Sequence, residues 1–85
     1  MLYSFSNRRR AKDTVLLIMD KYPTDGMLVF VQDDSVIIDP GKSVPDDDIP
    51  VVMHYAEVVD EREYEMDLGS ITELYRGNGL NKFRV

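Results

Sequence analysis

The sequence predicts a small α+β fold: a mainly antiparallel sheet of about four to six short strands, one longer N-terminal helix and one short C-terminal helix. Three observations lead there. Residues 7–22 hold the only long helical apolar pattern in the chain. Short β-branched and aromatic runs follow it, separated by turns rich in Gly, Pro and Asp. At 85 residues, with 44% hydrophobic and 31% charged residues, the composition is that of one folded domain spanning 1–85 rather than a disordered segment.

Leu2-Tyr3-Ser4-Phe5, with its alternating aromatics, reads as a first strand. In the segment that follows, Ala11, Val15, Ile18, Met19 and Tyr22 recur at i, i+4, i+7, i+8 and i+11 and share one arc of a helix, with Asp13 and Asp20 opposite. Ser6 or Asn7 can cap its start, and Pro23 ends it. Two features sit awkwardly. Val15–Met19 is an unbroken apolar run, with Leu16 and Leu17 off the arc, and such a run also fits a buried strand. Arg8-Arg9-Arg10 place cations in a first helical turn, where the macrodipole disfavours each by about 0.3–1 kcal/mol when exposed. A solvated or frayed end, a helix starting nearer Asp13, or an electrostatic partner for the arginines would accommodate them.

Thr24-Asp25-Gly26 makes a turn, and residues 27–39 read as a β-hairpin: Met27–Val31, a turn at Gln32–Ser35, then Val36-Ile37-Ile38. Pro40 to Pro50 is a proline-stiffened loop containing Asp46-Asp47-Asp48. Val51–Val59 reads as a strand and Arg62–Leu68 as another, together a second hairpin at roughly 51–68. Ser70-Ile71-Thr72-Glu73 has the form of a capping box opening a short helix with Leu74 and Tyr75, ended by Gly77-Asn78-Gly79. Asn81–Val85 would be a terminal strand with Phe83 and Val85 inward.

The chain lacks cysteine, which removes disulfides, thiolate metal sites and a cysteine nucleophile from consideration. The three arginines before an apolar run imitate a signal peptide. Residues 14–19 fall short of the usual h-region of roughly 7–15 residues, however, and Asp20 stops the run, so a cytoplasmic protein without a membrane span is expected. Gly41-Lys42-Ser43 resembles the tail of a phosphate-binding loop, but Val36 stands where the earlier glycine belongs. His54, the only histidine, lies within the expected apolar strand and reads as a packing or edge residue. One histidine without cysteine makes zinc a poor fit, and Asp46–Asp48 lack the ligand spacing of a calcium loop. Nothing in the sequence points to an enzyme or to a cofactor.

Charge is the informative feature. The net charge is −6, yet all 16 acidic residues lie between Asp13 and Glu73, where three basic residues leave that span at −13. The other seven basic residues sit at the two ends. Glu63, Glu65 and Asp67 alternate along the expected strand, roughly 6.6 Å apart, the order of the charge spacing along a nucleic-acid backbone. Glu57, Asp60, Glu61 and the Asp46-Asp47-Asp48 loop widen the candidate face. Such a surface repels phosphates and attracts a basic groove. In size and charge the chain resembles small acidic proteins with which phages and mobile elements block host nucleic-acid-binding machinery; the likeness rests on no motif. The expectation is a non-enzymatic binding module for a basic protein surface, with nucleic-acid mimicry as its sharper form and no direct nucleic-acid or membrane partner. A homo-oligomer formed by basic ends on acidic middles is the first alternative, and a small-ligand or catalytic domain, which would need a real pocket, is the second.

Overall fold

The computed structural model describes residues 1–32, 34–59 and 71–84. Within them, β1 (Leu2–Phe5), β2 (Leu28–Gln32), β3 (Ser35–Asp39), β4 (Glu57–Val59) and β5 (Ile71–Arg76) form one antiparallel sheet in the order β4-β1-β3-β2-β5. The helix α1 (Arg8–Lys21) packs on one face. A 3₁₀ turn at Asp46–Asp48 leads into the short helix α2 (Ile49–Val52), and a second 3₁₀ segment, Gly77–Arg84, follows β5. This is the expected α+β architecture.

Helix α1 begins at Arg8 because Asn7 holds its first turn. The Asn7 Oδ1 accepts from the backbone N–H of Arg9 at 3.0 Å and of Arg10 at 3.2 Å. The helix is therefore neither delayed to Asp13 nor frayed at its start. It buries Ala11, Val15 and Ile18, as the spacing requires, with Met19 and Tyr22 partly buried and Thr14 added to the buried side. These side chains pack on the sheet face formed by Tyr3, Phe5, Val29, Val36 and Ile38. The register brings them together: Tyr3 pairs with Ile38, Phe5 with Val36, and Val29 with Ile38. β3 is the middle strand, and its run Val36-Ile37-Ile38 is buried throughout. The opposite face carries a smaller cluster, Leu2 and Ile37 with Phe30 and Val59.

The expected hairpin at 27–39 is present, with Gln32 paired to Ser35 across the turn. The expected strand at 51–59 is largely replaced. Ile49–Val52 is helical, and only Glu57–Val59 is a strand, paired to β1. Pro50 sits in the first turn of α2, where its missing N–H is not needed. Ile49, Val52, Met53 and Ala56, at i, i+3, i+4 and i+7, turn toward the core. The capping-box helix is replaced as well: residues 71–76 are β5, hydrogen-bonded to β2 with a register shift between Val31 and Gln32. The short C-terminal helical element lies instead at Gly77–Arg84, where a terminal strand was expected. There Leu80 is fully buried and Phe83, three residues on and so on the same side of a 3₁₀ turn, packs partly against the core. The expected strand at 62–68 and its turn at 60–61 lie outside the described residues, as does Val85.

Candidate functional site

Of the acidic residues singled out by the sequence, Asp46, Asp47 and Asp48 share one 3₁₀ turn ahead of α2. Carboxylates there suit the N-terminal end of a helical segment, whose free N–H groups favour negative charge. Asp46 and Asp47 are exposed; Asp48 is half-buried. Its Oδ2 accepts a hydrogen bond of 2.8 Å from the hydroxyl of Tyr22, the residue that closes α1. That bond raises the Tyr22 phenol above its ordinary pKa, with burial and the nearby carboxylate charge adding in the same direction. Glu57 is exposed at the start of β4, opposite Ser4. Asp60, Glu61, Glu63, Glu65 and Asp67 lie outside the described residues. Elsewhere, Asp20 meets Arg84 at 3.4 Å, an exposed pair tying the C-terminal segment to α1.

Some basic residues of the two ends meet at one groove, which Glu73 also lines. Arg8 and Lys12 of α1 line a shallow groove with Tyr75 and Phe83, whose rings meet edge-on with centroids 5.1 Å apart. Lys82 Nζ stands 5.6 Å from the Tyr75 ring centroid.

A second feature was not expected from the sequence. Between α1 and α2 lies a cleft of about 500 Å³. Arg10, Asp13, Thr14 and Leu17 line it from α1, spaced i, i+3, i+4 and i+7 and so on one flank of the helix. Pro50, Val51, Val52, His54 and Tyr55 line it from α2 and the turn that follows. The guanidinium carbon of Arg10 lies 3.6 Å from the Tyr55 ring centroid, which gives this first-turn cation an aromatic partner. His54 is exposed in that turn rather than set in a strand, and its ring meets Tyr55 edge-on at 4.6 Å. Leu17, apolar but off the helix's core arc, marks one wall of this cleft in the sequence, whereas the other wall depends on α2 standing beside α1.

Among the described residues no group of three or more His, Asp or Glu side chains is placed to hold a metal ion. Among them, too, no helix is long and apolar enough to cross a membrane. Comparison with protein-family models, with curated proteins and with solved structures finds no match.

Proposed function

We propose that this chain is a non-enzymatic, cytoplasmic binding module that presents an acidic face to a basic protein surface, in its sharper form imitating nucleic acid to occupy the groove of a nucleic-acid-binding protein. The observation that carries this reading is the confinement of all 16 acidic residues to positions 13–73, against three basic ones. Asp46, Asp47 and Glu57 are exposed, which this reading requires of them. A field of one sign acts before contact, so it raises the rate of encounter and makes binding sensitive to salt. The face comprises Asp46, Asp47, Asp48, Glu57, Asp60, Glu61, Glu63, Glu65 and Asp67.

The test is capture of a basic partner from the source cell at low and high salt, repeated with the triple variant Glu63→Lys, Glu65→Lys and Asp67→Lys. The reading expects capture at low salt, loss at high salt, and loss in the triple variant with its thermal melt unchanged. A partner that binds the triple variant as well as the parent, or binds equally at both salts, sinks it.

A second reading, self-association, is favoured by the meeting of some basic residues from the two ends. The segment bearing Lys82 and Arg84 packs against α1, which bears Arg8, Arg9, Arg10 and Lys12. That side of one copy suits the acidic middle of another. Light scattering separates the two: a monomer at both low and high salt rejects self-association.

A further inference from the structure

Several features left over from the core and the acidic segment converge on the cleft between α1 and α2. Leu17 lies off the core arc and is 38% exposed. Val51 and Tyr55 are 78% and 59% exposed. Arg10 stands in a helical turn that disfavours cations, and His54 is the only histidine. All of them line one concavity of about 500 Å³, within the range of roughly 300–1,000 Å³ in which small molecules are held. Its apolar walls are Leu17, Pro50, Val51 and Val52, and polar groups reach it from Arg10, Asp13, Thr14, His54 and Tyr55, a mixture that can orient a largely apolar ligand.

The chemistry of the ligand follows from Arg10. The guanidinium sits over the face of the Tyr55 ring, its central carbon 3.6 Å from the centroid, a distance that suits stacking. Stacking fixes its plane, and a planar guanidinium donates through its edge, in the fork that matches a carboxylate. Among the described residues no carboxylate pairs with Arg10. Asp13 stands on the same flank one turn further along and offsets the charge of Arg10, so that each added negative charge on a ligand meets growing repulsion.

We propose that this cleft binds a small organic acid of single negative charge, its flat apolar body against Leu17, Pro50 and Val51 and its carboxylate on the edge of Arg10. The site is independent of the acidic docking face. Complementarity of charge at Arg10 and the repulsion of further negative charge by Asp13 set its selectivity.

The test is a titration of the full chain with 2-naphthoate and with its neutral amide, followed by amide NMR shifts. The acid is expected to saturate, with shifts centred on residues 10–17 and 50–55, and the amide to bind weaker by about tenfold or more. Arg10→Gln should erase that preference, and Leu17→Glu should abolish binding of both while the thermal melt stays cooperative. Should Leu17→Glu fail to fold, Val51→Asp, at a position with most of its surface in water, serves in its place. Absence of saturable shifts, equal binding of acid and amide, or indifference to Arg10→Gln overturns the proposal. So does a dimer in sedimentation that Leu17→Glu dissociates, since a second copy would then be the occupant.

Discussion

Gly41 shows how one residue fixes two loops. Its φ is +55°, and a Cβ built there would stand 2.6 Å from the carbonyl oxygen of Gly26. The Asp39 Oδ1 accepts from the Gly41 N–H at 3.0 Å, and Ser43 N–H donates to Pro40 O at 2.9 Å, so the turn after β3 is held from both sides. The glycine of Gly41-Lys42-Ser43 thus has a backbone reason to be there, unrelated to phosphate. Gly77, at φ +53°, has open space around it and supplies the control. Gly77→Ala is expected to cost about 1–2 kcal/mol from the left-handed backbone alone. Gly41→Ala adds overlap with a backbone atom and is expected to cost about 2–4 kcal/mol. Urea melts of the two variants check the order; equal losses would mean that the Gly26 contact does not constrain the loop. Tyr22 carries the other prediction at this scale. Its phenol pKa is raised in the fold, so the folded state holds this proton more tightly than the unfolded chain does. The hydrogen bond to Asp48 therefore contributes fully below the ordinary phenol value of 10.0 and is lost as pH rises through the higher folded value. Thermal melts taken across that alkaline window should fall more steeply for the parent than for Tyr22→Phe. Parallel slopes would remove the bond from the account.

At the scale of elements, the first and last segments make contrasting cases. The N-terminal helix was legible because its signals agree: an apolar arc, a capping residue and a terminating proline. Asn7→Ala should lower stability by about 1 kcal/mol, because the N–H groups of Arg9 and Arg10 lose their acceptor. A guanidine melt measures it, with Ser6→Ala as an unaffected neighbour. The C-terminal segment was legible only in part. Gly77 does take the left-handed backbone expected of it, but it turns the chain out of a strand rather than out of a helix. Ile71 and Tyr75, residues that favour strands, outweigh the capping-box spacing once β2 offers a partner. Leu80 was missed because one apolar residue among Gly, Asn and Lys shows no period, yet it is among the most buried side chains. Leu80→Ala should cost about 2–5 kcal/mol and release the 77–84 segment from α1, read as a lower midpoint in the same melt. The short helix α2 was hidden for a different reason. Its core-facing residues begin at Ile49, inside what reads as a proline-rich loop, so Val51–Val59 viewed alone looks like a strand. The residues of the proposed acidic face are named from charge alone, and of them Asp46, Asp47 and Glu57 are exposed. The cleft could not be named in that way, because it depends on α2 standing beside α1, a long-range arrangement that no local pattern encodes.

For the whole molecule, the charge distribution makes two salt effects of opposite sign. The chain carries −6 overall, with its acidic residues confined to 13–73. Among the described residues Asp20 has a basic partner in Arg84, an exposed pair and so a weak one. Crowded carboxylates of one sign repel each other, and this destabilises the compact state until salt screens it over a length of about 10 Å at 0.1 M. Adding sodium chloride from a few millimolar to the physiological range should therefore raise the melting temperature of the isolated chain. The double variant Asp46→Asn and Asp47→Asn should respond less to salt, since it removes two exposed like charges from one turn. The proposed docking on a basic partner would obey the opposite rule: the same screening weakens attraction between two surfaces of opposite charge, so affinity should fall over the interval in which the free chain gains stability. Melting by calorimetry and partner affinity by titration, run on one salt series, test both at once. If melting temperature falls with salt, favourable pairs within the chain already neutralise the acidic segment, and little charge is left over for a partner to meet.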